Sequence, residues 1–386
     1  MEANSYLRAM CVLGAFTYVS AAQATVDDGA PVVQLRTECT ENGSELNNCF
    51  TDIATLNNWV FNVRSPAPSA ASPVLIQIGP GTFNGSFLCE DSGYVTLRGA
   101  GIQNTIIQGT SYPVALTNCK NMVFMDMSIK ATGLGIQGGG STTYWHNVEL
   151  DVDGFYAWLD SAANGCYGPK GTHYWFNSRI IGRAVDSGAA AYQSGCDESW
   201  FFGSEIAKYV SDTANGSVYA IKSFAANAKR HGENHIYGGV IRVVDTGTTS
   251  AATLVAIHSE GGSSVHVHGT GIDVLGSGTN PIVALSATAG GEIHANESSY
   301  SLSTVSGTIK RVSKDGTAHV HAPYLWETHL DVPFASNPAV SFESVTGYDS
   351  AIVTTTAAGA ADHPHLVIYD SSCPGKWFDS TINQCR

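Results

Sequence analysis

The sequence predicts an all-β fold: a right-handed parallel β-helix, a solenoid with three strands per coil, an N-terminal cap and a disulfide-closed C-terminal tail. Three observations predict it. Segments centred on the large apolar residues Phe124, Trp145, Trp175, Phe201, Ile236, Val267, Ile293 and Val320 line up as copies of one unit. A second apolar residue follows five positions later in most copies, and a further short strand precedes each copy. Gly at 41 of 386 residues, with many β-branched and aromatic residues, suits short strands and turns throughout.

The eight centres are 21, 30, 26, 35, 31, 26 and 27 residues apart. Three short strands with their turns need at least ~20 residues, so each period makes one coil and extra length leaves as loops. The following apolar residues are Ile129, Leu150, Ile180, Ile206, Ile241, Ile272 and Leu325, with Ser298 the one break. Asn147, Asn177, Gly203, Gly238 and Gly269 lie between and suit a tight bend. The preceding strands include Tyr156 to Trp158, Ala190 to Tyr192, Tyr219 to Ile221, Val255 to Ile257 and Val283 to Leu285. Parallel strands joined this way cross over right-handedly. A propeller would need about 40 residues per repeat, and the Leu/Asn signature of a leucine-rich repeat is absent.

Arg8, the apolar run from Ala9 to Val19 and the triplet Ala22, Gln23, Ala24 have the form of a secretory signal over 1–24. A cap is expected over 25–72, with a helix within Glu41 to Trp59, the β-helix over 73–330 and a C-terminal cap over 331–386. Nothing after the signal is long and apolar enough to span a membrane. Removing Cys11 with the signal leaves eight cysteines, which suits four bridges in an oxidising compartment. Cys89 and Cys119 fall before central strands of successive coils, as do Cys166 and Cys196, so stacking pairs 89 with 119 and 166 with 196. Cys39 with Cys49 and Cys373 with Cys385 would close the two ends.

Only 13% of residues are charged and the net charge is −14. Without a basic stripe to release phosphate counterions, the chain is a poor partner for nucleic acid. A neutral or esterified polysaccharide fits better than a highly anionic one, and a monomer is expected.

Pro73 to Phe83, Val95 to Gly101 and Thr105 to Gly109 resemble the opening coils of pectin methylesterases and the wider pectin-lyase-like superfamily. Ala190 to Gly195 with Trp200 to Ile206 resembles that family's mid-coil segment, and Val210 to Thr213 its Gln-Asp-Thr motif. The resemblance implies a β-helix acting on an extracellular polysaccharide. Its Gly-Arg-Pro-Trp motif has no counterpart, and Ser187-Gly188 stands where the family has Gln. The polygalacturonase signatures and the clustered Asp of calcium-dependent pectate lyases are also absent. The tail from Cys373 to Cys385 resembles half of a type-2 chitin-binding module.

Residues flanking each buried centre point outward, because strand neighbours alternate faces. One such series is Tyr144, Tyr174, Trp200, His235, His266, Glu292 and His319; the other is His146, Phe176, Phe202, Tyr237, His268, His294 and His321. Stacked about 4.8 Å apart, these rings either stack on sugars or pack on one another. The histidines lack a recognisable metal-ligand spacing, so no metal and no cofactor is expected.

Asp186, Asp212 and Asp245 occur in near-repeats after the second strand of consecutive coils. Carboxylates roughly 5 Å apart suit a nucleophile and acid pair, and one of the two is then pushed up in pKa. Asp before Ser or Thr and a small residue is equally ordinary turn chemistry. Arg183, Lys222 and Gln193 are candidate substrate contacts, and His258 and Thr117 also point outward from the third strand. Two functions follow: a polysaccharide esterase or glycan hydrolase, and a non-catalytic surface rod that binds or adheres.

Overall fold

A computed structural model describes residues 32–39, 48–160, 169–183, 187–211, 214–227, 230–247 and 251–322. It also gives the backbone of four short antiparallel strands, Ile352–Thr355, His365–Ile368, Phe378–Asp379 and Gln384–Cys385. The signal-like segment 1–24, Asp186, Asp212, Cys166, Cys373 and the side chain of Cys385 lie outside the described residues.

Three parallel ladders run the length of the helix. The first holds Val74–Ile78, Val95–Arg98, the leading halves of Met122–Ala131 and Thr142–Val152, then Thr172–Phe176, Glu198–Phe202, Glu233–Tyr237, Ser264–His268, Glu292–Asn296 and His319–His321. The second takes the trailing halves of those two long strands into Arg179–Gly182, Glu205–Val210, Val240–Asp245, Gly271–Leu275 and Ser299–Ser303. The third is a separate nine-stranded sheet that includes Tyr156–Asp160, Ala190–Ser194, Ser217–Ser223, Thr253–Glu260, Ile282–Thr288 and Ile309–Lys314. The pectin-lyase-like resemblance thus holds at the level of architecture.

Between the first and second ladders the chain turns through single residues with positive φ. Asn147, Asn177, Gly203, Gly238, Gly269 and Glu297 occupy this position at φ between 47° and 67°. Asn and Gly enter this left-handed region at least cost, which is why these residues mark the bends. A capping helix, Ile53–Asn58, starts at Asp52, whose side chain accepts from the Thr55 N–H, and buries Ile53 and Leu56. Among the described residues no helix is long and apolar enough to cross a membrane.

The interior is built by the same stacking. Phe124 lies on Trp145 at 4.0 Å between ring centres and Trp145 on Trp175 at 4.7 Å, all fully buried. Cys39–Cys49 and Cys89–Cys119 are bridged, the latter joining neighbouring coils of the third sheet, and Cys196 is disulfide-bonded as well.

One register differs from the expected one. His266 pairs with His294, and Val267 with Ala295, so the strand Glu292–Asn296 is displaced by two residues. A slip of two keeps every side chain on its own face, so alternation cannot detect it. The break at Ser298 disappears with it, because Tyr300 is the residue opposite Ile272 and is buried.

Candidate functional site

The outer face of the first sheet carries one continuous ring column: Tyr144, Tyr174, Trp200, His235, His266, His294 and His321. His319 is corrected out of it by the two-residue displacement and faces Glu292, in the row of Glu198 and Glu233. Four steps of the column are nearly parallel, Tyr144 on Tyr174 at 5.1 Å, Trp200 on His235 at 4.0 Å, and His235 on His266 and His266 on His294 at 4.9 Å each, while His321 is tilted 42° from His294 at 6.1 Å. A parallel column runs His146, Phe176, Phe202, Tyr237, His268 at 4.6–5.6 Å. In these stacked pairs the faces expected to receive sugars lie against neighbouring rings. Burial takes the His146 and His266 imidazoles down to about 4, with neighbouring histidines adding to the effect at His266.

Beside this column, ligand atoms of Glu198, Glu233 and His235 lie within 4.8 Å of one another, an arrangement able to hold a cation. The Lys170 ammonium already sits there, 2.8 Å from Glu233 and 3.6 Å from Glu198. Trp200 Nε1 donates to Glu198 at 2.7 Å, and His235 Nε2 lies 3.1 Å from Glu233. Burial opposes ionisation of Glu233, yet Lys170 and His235 hold its carboxyl below the usual range. The near-repeat Glu198-Ser199-Trp200, Glu233-Asn234-His235, Glu292-Ile293-His294 was the unused signal for this row, and for the true register.

The second sheet is covered by alternating charge. Arg179 bridges Glu149 at 2.8 Å and Glu205 at 2.9 Å, and Arg242 bridges Glu205 at 3.5 Å and Asp273 at 3.1 Å. Arg183 belongs to this surface and not to a groove. Its guanidinium donates to both oxygens of Asp151, at 2.7 and 3.3 Å, and lies 5.2 Å from the Tyr209 ring centre. Asp245 ends its strand facing inward, 5% exposed, with Oδ1 accepting the Gly247 N–H at 2.8 Å. That is turn chemistry, and it takes Asp245 away from any exposed carboxylate pair.

At the corner from the third sheet to the first lies a fully buried polar chain. Trp145 Nε1 donates to Thr143 Oγ1 at 2.7 Å; Thr143 Oγ1 lies 2.8 Å from His173 Nδ1, and His173 Nε2 3.2 Å from Asp197 Oδ2. Asp197 also accepts the Gly140 and Gly171 N–H groups, while Asp160 accepts those of Gly195, Cys196 and Asp197 and the Ser194 hydroxyl. Burial, with Asp197 beside it, pushes Asp160 up to about 6. Four donors on one carboxylate and three on the other tie successive turns together.

An open groove lies on the third sheet. Its volume is about 420 Å³ and it crosses four coils, with Tyr219, Val255, Val283 and Lys310 in one row. The adjacent row runs Gln193, Lys222, His258, Ser286, Ser313, the last three lining the groove. Each strand changes phase midway: Ala220 with Ile221, Ala256 with Ile257, and Ala284 with Leu285 all face the core. This brings Lys222, His258 and Ser286 out on the same side as Tyr219, Val255 and Val283. Lys222 lies 5.5 Å from the Tyr219 ring centre and 3.4 Å from Glu260. His258, 7% exposed, reaches Ser286 Oγ with Nδ1 at 3.1 Å and Glu260 Oε2 with Nε2 at 3.1 Å. Gln193 is also buried, at 8% exposure, beyond the groove's end. Hydroxyls and one imidazole beside an apolar strip of valines match the two characters of a sugar ring, hydroxyl rim and C–H face.

No family model and no curated protein matches this sequence. Among solved structures, tailspike protein 3 of bacteriophage CBA120 matches with a TM-score of 0.22 and 13% identity, over 94% of this chain and 69% of that one. A match at that level says nothing about the site, and the finer resemblance to pectin methylesterases gains no support from it. The β-helix stands on its own parallel ladders.

Proposed function

We propose that this chain is an exported β-helix that holds a neutral or esterified polysaccharide along the outer face of its third sheet. The groove carries the reading: it places at least one hydroxyl on each of four successive coils, about 4.8 Å apart, along the direction a polymer laid on the axis would take. Its lining includes one ammonium, Lys310, and no carboxylate. Disulfide pairing supports an oxidising compartment, as does the signal-like segment at 1–24. Retention by a panel of unmodified, methylated and acetylated polysaccharides tests it, with Tyr219→Ala as the diagnostic variant. Loss of ring and hydroxyl contact should weaken retention by about 0.5–1.5 kcal/mol. Equal retention of wild type and variant would contradict the placement.

The non-catalytic rod is the second reading, favoured by one observation. Asp245 is buried with Oδ1 accepting the Gly247 N–H, so this carboxylate is not presented to a substrate as an acid or nucleophile.

A further inference from the structure

We infer that Ser286, His258 and Glu260 form a nucleophile, its base and the carboxylate that orients the base, for hydrolysis of an ester carried by the bound glycan. This deepens the binding reading above and rests on the same groove. The three groups are joined in series, Ser286 Oγ to His258 Nδ1 at 3.1 Å and His258 Nε2 to Glu260 Oε2 at 3.1 Å. Such a series is recognised by geometry and role, whichever ring nitrogen faces the nucleophile.

Hydrogen-bond chemistry fixes the proton. An ionised carboxylate only accepts, so Nε2 donates to Glu260; neutral imidazole then leaves Nδ1 as an acceptor, and the Ser286 hydroxyl donates to it. The His258 bond, with burial opposing and Lys222 assisting, holds the Glu260 carboxyl below its usual range and so ionised. Imidazole orientation is set by burial and by the Tyr219 ring 5.1 Å away. Ser286 is half-buried in the groove wall. Ester rather than glycosidic chemistry follows from the lining, since cleaving a glycosidic bond calls for a flanking carboxylate pair and the groove has none.

In the first step Ser286 Oγ bonds to the acyl carbon as its proton passes to Nδ1, and the carbonyl oxygen becomes an oxyanion. Tyr219, Lys310 and Ser313 line the groove as donors for that charge. The acyl carbon then loses the sugar oxygen, which takes the proton from Nδ1 and leaves as an alcohol. Water attacks the acyl-serine, giving its proton to Nδ1. Ser286 departs with that proton, releasing the carboxylic acid. One water is consumed per ester, and no other reactant is needed.

The test uses the full chain with a fluorophosphonate probe and p-nitrophenyl acetate. Wild type should be labelled at Ser286 by peptide mapping and hydrolyse the acetate. Ser286→Ala should lose at least ~100-fold in turnover while keeping the wild-type melting temperature, and His258→Ala should lose as much turnover. Glu260→Gln, at a positioning residue, should lower kcat with little change in KM and move the acid limb of the pH profile to lower pH. Absence of labelling and turnover in wild type, labelling elsewhere, or an active Ser286→Ala overturns the inference. Glycan retention is measured separately on the wild type. Retention by a wild type that shows neither labelling nor turnover means the catalytic assignment alone fails; turnover of the small ester without glycan retention removes the binding reading instead.

Discussion

The first and third sheets of this helix present opposite surfaces from the same repeat. On the first, Tyr144 lies on Tyr174, and Trp200, His235, His266 and His294 lie face to face, at 4.0 Å for Trp200 on His235, so these rings cover one another. On the third, the corresponding rows mix Tyr219 and Lys310 with Val255 and Val283, which cannot fill the space between them, and a groove of about 420 Å³ is left. A ladder of like rings closes a surface; a ladder of unlike side chains leaves one open. Aromatic residues in register are therefore a poor guide to a sugar site, because stacking on the next coil competes with stacking on a ligand.

The corner joining the two sheets should break the comparison most severely. Asp197→Ala leaves His173 and the Gly140 and Gly171 N–H groups without their buried acceptor. Denaturant melting should show a loss of about 3–5 kcal/mol, with both faces affected. A loss below about 1 kcal/mol would mean that the corner tolerates water.

Trp200→Ala should act on stability instead of binding. Removing one half-buried ring from between its neighbours should cost about 1–2 kcal/mol, the scale of aromatic pairs together with lost area. Glycan retention should stay unchanged. Reduced retention at full stability would return the ring column to the binding surface.

A smaller effect concerns acid. His266 titrates at about 4 in the folded chain and near 6.5 when unfolded, so unfolded chains bind more protons between those values. The sign is a contribution present above pH 6.5 and lost as pH falls towards 4. Asp160, raised to about 6, works in the opposite sense over the lower part of that range. The clean measurement is the difference: melting temperature from pH 7.5 to 4.5 should fall less steeply in His266→Phe than in wild type. Identical slopes would show that the column does not resist protonation.

Much of this was legible in the sequence because a β-helix repeats its inside. The centres from Phe124 to Val267 and the bends at Asn147, Asn177, Gly203, Gly238 and Gly269 were read from size and turn chemistry alone. Column membership failed where it needed the pairing of particular strands. Ile293 looked like a centre because it is large, yet Ala295 faces Val267, and only the repeated Glu-x-His pattern or the misfit at Ser298 betrays the slip. Gln193 and His258, expected to point outward from the third strand, and Lys222, expected as a substrate anchor, form one row. Glu260 and Ser286 were not seen. They meet His258 through the phase change at Ala256 and Ile257 and through a neighbouring coil, neither of which has a local signature. Arg183 and Asp245 were drawn toward substrate by their charge, whereas Asp151 and the Gly247 N–H engage them.

The most direct measurement is retention on esterified and unmodified polysaccharides of three proteins side by side: wild type, Tyr219→Ala/Lys310→Ala in the groove, and Tyr174→Ala/Trp200→Ala in the ring column. We expect the groove variant to lose at least ~10-fold in affinity, on the order of 1.4 kcal/mol, and the ring variant to bind like wild type once its lower stability is allowed for. Undiminished binding by the groove variant, with loss confined to the ring variant, would contradict the assignment of the third sheet.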